Sequence, residues 1–178
     1  MELTETIDKS KIKNVLDLGC GMERSSICFV EVGFKVPVAD SSSEVLTILK
    51  QRVVEKALEI KIIKGDYLDK LFSEESCDLV LAYNVIYHGY RQDVEHAMCL
   101  IHGLLEPRGL FFFTCPTRRD DKYGNGEQVP PNTYKPLKGA HPGDIRYFAD
   151  EADVSDFLHK VSEISPDIYD HCWDDKGI

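Results

Sequence analysis

The sequence predicts an α/β domain, a largely parallel sheet covered by helices. Short apolar runs of strand length alternate with segments whose apolar residues recur every three or four positions. That alternation repeats four times between residues 13 and 116, an order that lays strands side by side through right-handed crossovers. The 178-residue length fits a single domain, and a 43% hydrophobic content supplies a core.

The elements follow in order. "KNVLDLG" (13–19) reads as a short buried strand. In 23–33, Ile27, Val30 and Phe34 just beyond are spaced for one helical face, and Gly33 is a stop. "FKVPVAD" (34–40) alternates like a strand, with Pro37 expected near its start or on a free side, because a central strand cannot spare a donor. Ser41 and Glu44 have capping-box spacing, and Val45, Leu46, Leu49 and Val53 form an apolar stripe behind them. "EIKIIKG" (59–65) is a strand, 66–76 a short link, and "CDLVLAYN" (77–84) a strand. The helix at 91–105 turns Val94, Met98, Ile101 and Leu105 to one side. "GLFFFTCP" (109–116) is continuously apolar, as a strand buried on both faces would be.

Past Pro116 the periodicity ends. Residues 117–149 form a segment too rich in proline and glycine and too long for an ordinary connection, either disordered or a lid or substrate segment. Its aromatics and mixed charge favour partial order. A helix at 150–160 with Val154, Phe157 and Leu158 inward follows, then a strand at 161–173 broken by Pro166. The organisation is thus one domain over 1–178: a core at 12–116, the segment at 117–149, and a helix and strand at 150–178.

Composition narrows the function. Lys and Arg number 21 against 31 Asp and Glu, a formal charge of −10, which disfavours a broad nucleic-acid or anionic-membrane surface. The six cysteines have no CxxC spacing and several sit in apolar runs, so they read as reduced, mostly buried thiols of a cytoplasmic protein, and structural zinc is not expected. The N-terminus lacks an apolar signal core and no run has the length of a membrane span.

In a parallel sheet a ligand binds at the carboxyl ends of the strands, where strand order switches. Four such ends carry small or polar residues: Asp17, Gly19, Cys20 and Gly21 at the first, Asp40 at the second, Gly65 and Asp66 at the third, Tyr83 and Asn84 at the fourth. Glycines let backbone approach a ligand. An acid about 20 residues beyond them suits ribose hydroxyls, and an acid after the third strand can accept from an adenine amino group. This pattern points to an adenosine-containing ligand. The plainer reading is that Asp, Gly and Asn end strands because they turn well. A dinucleotide fingerprint would need glycine where Arg24 stands, and no P-loop is present.

"VLDLGCG", Asp40, "GDY" at 65–67, "CDLVLAYNVIYH" at 77–88 and "LLEPRGLFFFT" at 104–114 together resemble class I methyltransferases that use S-adenosylmethionine, in the family's order over residues 12 to 116. The resemblance implies a Rossmann-like, doubly wound, seven-stranded sheet with an antiparallel last strand. It also implies roles: Gly19 to Gly21 against the methionine part of the cofactor, Asp17 near its amino group, Asp40 on the ribose, Asp66 at adenine N6 with Tyr67 beside the ring, and Asn84 with backbone near Tyr83 on the sulfonium side. Tyr87 and His88 stand where the family often places substrate-facing residues. The activity implied is methyl transfer to a small molecule. "DDKYGNGEQVPPNT" (120–133) is similar to a loop in small stand-alone members of that kind.

Side chains for the chemistry can be nominated with their plainer alternatives. His88 is the candidate base, since imidazole titrates near neutrality, or is an ordinary loop histidine. Tyr87 lines the pocket or packs under the next helix. His141 could reach over the crevice from a lid. Arg118, with Arg119, could bind an anionic substrate group, or be exposed beside Asp120 and Asp121. Cys20 has no activating neighbour in the sequence and reads as small filler; His96 and His102 read as structural. Two features depart from the family. Glu23 replaces the third small residue of the turn, where it either suits the helix dipole or crowds the cofactor. After 150 only one helix and one strand fit, so the seventh strand is expected to be missing, leaving a sheet edge that dimerisation would protect. Monomer and homodimer both stay open, as does a non-catalytic module of the same fold that binds the cofactor or a protein partner.

Overall fold

The computed structural model of the chain describes residues 7–8, 10–21, 24–137 and 143–161. Glu23, His141 and the expected strand at 161–173, save its first residue, lie outside the described residues.

Five strands form one parallel sheet: β1 (Val15–Leu18), β2 (Val38–Asp40), β3 (Ile62–Lys64), β4 (Cys77–Ala82) and β5 (Leu105–Phe113). Their spatial order is β3-β2-β1-β4-β5, every neighbouring pair parallel. Helices α1 (Arg24–Glu31), α2 (Ser43–Glu55) and α3 (Arg91–Leu104) connect them, and α4 (Glu151–Val161) follows later. The two-residue period of the strands sorts side chains into two layers. Val15, Val38, Leu79 and Leu81 join Phe29 of α1 and Leu46, Leu49 and Val53 of α2 in one core cluster. Leu16, Leu18, Val80 and Ala82 join Val94, Met98 and Ile101 of α3 and Phe157 of α4 in the other. The sheet is therefore covered on both faces, the doubly wound arrangement expected.

Local chemistry explains most boundaries. Gly33 ends the α1 region with a φ of 98°. Pro37 immediately precedes β2, and its carbonyl accepts from Asp17 N–H at 3.1 Å, so the donor it lacks faces β1 and not a free side. The cap of α2 is Ser42, not Ser41: the Ser42 hydroxyl accepts from Val45 N–H at 3.3 Å. Register shifts by one because Asp40 claims the Ser42 N–H at 2.8 Å and sets where the turn ends. Val45 is accordingly half-buried, while Leu46, Leu49 and Val53 are inside.

β5 departs from expectation. It begins at Leu105, which was expected in the helix, and its ladder slips between Leu105 and Leu110, where Arg108 takes a φ of 72°. Nor is it buried on both faces: Leu110 is 51% and Phe112 36% exposed, whereas Phe111 and Phe113 pack on the core. The reason is position. β5 is the last strand of the sheet among the described residues, and the described helices cover only one of its faces.

The described residues of the segment after Pro116 have a regular fold. It folds into a small antiparallel sheet, β6 (Glu127–Gln128), β7 (Thr133–Lys135) and β8 (Arg146–Tyr147), in sequential order. Tyr123, Tyr134 and Phe148 meet edge to face at 5.1 to 5.9 Å between centroids, the aromatic contacts that hold so small a sheet. The cysteines are less buried than expected: Cys20 and Cys77 are inside, but Cys28 and Cys99 are exposed. His96 and His102 lie on the exposed side of α3. Among the described residues no helix is long and apolar enough to cross a membrane.

Candidate active site

Strand order switches at β1, which has β2 on one side and β4 on the other. The turns leaving β1 and β4 therefore diverge at the same sheet edge and open a crevice. Gly19 sits at its base with a φ of 66°, and a Cβ there would lie 2.3 Å from Val85 Cγ2. Only glycine fits this position, on conformation and on space. Gly19 and Cys20 donate their N–H groups to Ala39 O at 2.7 and 3.2 Å. Gly21, with a φ of 53°, donates to Asp40 Oδ2 at 3.0 Å. Among the described residues, a Cβ on Gly21 would meet nothing nearer than Gly19 O at 3.9 Å.

Asp40 thus spans two elements, with Oδ2 on the glycine turn and Oδ1 on the Ser42 amide. Each carboxylate oxygen has a further acceptor direction free of these bonds. Asp17 lies beneath the turn, 2% exposed, with Oδ2 accepting from the Ser26 hydroxyl at 2.5 Å. Burial pushes its carboxyl up to about 6, the Ser26 hydrogen bond opposing the rise. Cys20 is buried beside it.

At the third strand end, Gly65 donates to Asp40 O at 3.1 Å. Asp66 is exposed and ties its own turn, Oδ1 accepting from Leu68 N–H at 3.0 Å. Tyr67 is half-buried and its hydroxyl donates to His88 O; burial pushes the phenol above its usual range. At the fourth, Tyr83 is 44% exposed. Asn84 takes a φ of 57°. Thr114 holds it in place: its Oγ1 accepts from Asn84 N–H at 2.8 Å and donates to Asn84 Oδ1 at 3.0 Å.

The small sheet docks on the loop beyond. Gly89 N–H donates to Ile145 O and Tyr147 N–H to Tyr87 O, both at 2.9 Å. This pairing brings Asp144 to His88, with Nδ1 to Oδ2 at 2.7 Å. The His88 ring stacks on Tyr87 at 4.5 Å between centroids. Burial raises the Tyr87 phenol, with Arg146 nearby opposing the rise. Arg146 Nε lies 3.7 Å from Asp144 Oδ2 and is buried without a hydrogen-bond partner among the described residues. Burial also pushes the Cys115 thiol up to about 12, which keeps it protonated and unreactive.

The structure therefore gathers Gly19, Cys20, Gly21, Asp40, Asn84 and the residues beneath and behind them around one crevice. The Arg118 guanidinium pairs with Asp150 at 2.8 Å and reaches Asp153 at 3.7 Å. Sequence reasoning missed Val85, Ser26, Thr114, Asp144 and Arg146. Ser26 reaches back nine residues to Asp17, while Val85, Thr114, Asp144 and Arg146 act across contacts between distant segments, and none carries a local signal beyond its residue type.

Comparison with known proteins agrees with this architecture. A family described as "Methyltransferase domain" matches residues 16–113. The cypemycin N-terminal methyltransferase of Streptomyces sp. is 26% identical over 118 residues, 65% of this chain and 46% of that protein; the chain spans less than half the length of this relative. The crystal structure of a SAM-dependent methyltransferase from Methanosarcina mazei has a TM-score of 0.77 at 12% identity, over 90% of this chain and 84% of that one. That of Burkholderia thailandensis 1,6-didemethyltoxoflavin-N1-methyltransferase, solved with 1,6-didemethyltoxoflavin and S-adenosylhomocysteine, has a TM-score of 0.64 at 22% identity, over 85% and 60%. With the match covering more than half of the sequence, the chain belongs to the class I S-adenosylmethionine-dependent methyltransferases.

Proposed function

We propose that the protein transfers a methyl group from S-adenosylmethionine to a small-molecule acceptor. The observation that carries this is the Asp40 carboxylate, which braces the glycine turn while keeping acceptor directions free at the mouth of the crevice. The family match favours transfer over a non-catalytic module. The residues suit the cofactor. Among the described residues nothing crowds Gly21, and an acidic side chain at the end of β2 suits ribose hydroxyls.

When bound, the cofactor supplies a methyl group on a positively charged sulfur, which is intrinsically reactive. The chain's part is alignment and exclusion of water. In this reading Asp40 takes the ribose hydroxyls, and the turn from Gly19 to Gly21, Cys20 included, lies along the methionine part. Asp17, already bonded to Ser26, holds the turn from below rather than reaching the ligand. Asp66 and Tyr67 border the adenine, and Tyr83 and Asn84 the sulfonium. Tyr87 lines the acceptor side and His88 takes the acceptor's proton. Residues 12–116 serve as the cofactor core, and 117–149 as the wall over the acceptor.

Calorimetric titration with S-adenosylmethionine and S-adenosylhomocysteine tests the reading. Wild type is expected to bind both. Asp40→Ala is expected to weaken binding tenfold or more, about 1.4 kcal/mol, while keeping its circular dichroism spectrum. No binding by folded wild type would sink the proposal. A methyl-transfer screen over small amines, phenols and heterocycles then identifies the acceptor class.

A further inference from the structure

We propose that Asp144 is a positioning residue for His88: it holds the imidazole as the Nδ1–H tautomer and leaves Nε2 as the proton acceptor. The inference rests on the methyl-transfer reading for its purpose and on independent geometry for its substance. Nδ1 lies 2.7 Å from Asp144 Oδ2. A carboxylate can only accept at neutral pH, so the ring nitrogen must donate. Nε2 has no hydrogen bond to any described residue, and the side chain keeps 30% of its surface exposed. A base nitrogen therefore remains open to a ligand while its partner nitrogen is tied.

The ring is over-determined. His88 N–H donates to Val85 O at 3.0 Å, and its carbonyl accepts from the Tyr67 hydroxyl. Its plane rests on Tyr87, and its backbone bridges to Arg146 of β8. Among the described residues, the charged and titratable groups around it are Asp144 and Arg146 from the segment of the small sheet, Tyr67 from the loop after β3 with Asp66 and Asp93 acting on it, and Tyr87 from its own loop with Cys115 and Asp120 acting on it. Arg146 approaches the same Asp144 oxygen from a second side. One anion thus accepts from the ring, pairs with a guanidinium nitrogen at 3.7 Å, and faces the ring from a segment remote in sequence.

The chemistry balances. An acceptor O–H or N–H attacks the methyl carbon with its lone pair, the carbon–sulfur bond breaks with its electrons passing to sulfur, and the acceptor's proton moves to Nε2. The resulting imidazolium keeps its Nδ1–H on the Asp144 carboxylate, which stabilises the new charge. Without such a carboxylate, imidazole in water carries its proton mainly on Nε2, and the base nitrogen would turn toward the wrong group.

The test reads the tautomer by ¹⁵N correlation spectra of histidine-labelled protein at pH 8.5, with His88 assigned by Asn substitution, and needs no acceptor substrate. Wild type is expected as Nδ1–H and Asp144→Ala as mainly Nε2–H. S-adenosylmethionine is expected to bind the variant with a Kd within twofold of wild type. An Nε2–H wild type overturns the proposal, whether or not the variant folds. So does a variant that keeps Nδ1–H, or one that loses cofactor affinity tenfold, which would mark Asp144 as merely structural. Failure of wild type to bind cofactor would instead overturn the methyl-transfer reading, since the tautomer is read without it.

Discussion

Gly19 concentrates several demands on one residue. Its φ of 66° and the 2.3 Å that would separate a Cβ from Val85 both exclude a side chain. Gly19→Ala is expected to cost about 1–3 kcal/mol for conformation, plus the displacement of Val85, measured by urea unfolding. Val85→Ala in the same background should return the steric part but not the conformational part. Asp17 makes a different prediction. Its folded-state carboxyl is raised from 3.8 to about 6, so the folded protein binds a proton that the unfolded chain releases. Stability is therefore greatest below about pH 4 as far as this group is concerned, and falls as pH rises to about 6, by roughly 3 kcal/mol. Asp17→Asn should flatten that stretch of a stability-against-pH curve. "VLDLGCG" made the turn itself legible in the sequence. The Ser26 bond and the Val85 contact were not legible, because both are contacts the fold creates between segments with no shared local pattern.

The elements show where periodic reading succeeds. Every strand of the main sheet and all four described helices could be read from apolar spacing, because each must bury apolar side chains against the core. β5 failed in one respect: "LFFF" is apolar at every position, yet only alternate residues are covered. Composition cannot tell an edge strand from a central one when both are hydrophobic. The small sheet failed differently, since strands of two or three residues are too short to show alternation. Two elements carry predictions of their own. Ser42→Ala removes the cap of α2 and should cost about 1 kcal/mol, read from the urea midpoint. Arg91 of α3 bonds Tyr147 at 2.9 Å, Asp156 at 2.6 Å and Asp153, and lies over the Phe157 ring at 4.8 Å. It locks α3, β8 and α4 together. Arg91→Gln should cost about 1–3 kcal/mol, at the lower end because the side chain is 35% exposed.

At the scale of the whole molecule, the small sheet is a continuation of the site. Two backbone bonds, Gly89 to Ile145 and Tyr147 to Tyr87, tie it to the loop that carries His88. Hydrogen exchange should therefore find the Gly89 and Tyr147 amides protected to similar degrees and lost together when Arg91 is replaced. Independent exchange of the two would show that the segment and the loop move separately.

The strand order also governs when the crevice can exist. Val15 pairs with Leu79, and Gly19 shapes its turn against Val85, so the central seam of the sheet joins parts of the chain made far apart in time. Pairings so distant in sequence form slowly, after closure of a long loop. On the ribosome, β1, β2 and β3 emerge before β4 and must wait with one flank of β1 unpaired until it arrives. The glycine turn after β1 is therefore encoded well ahead of the residues that complete it, and it takes its final shape only once Val85 has been made.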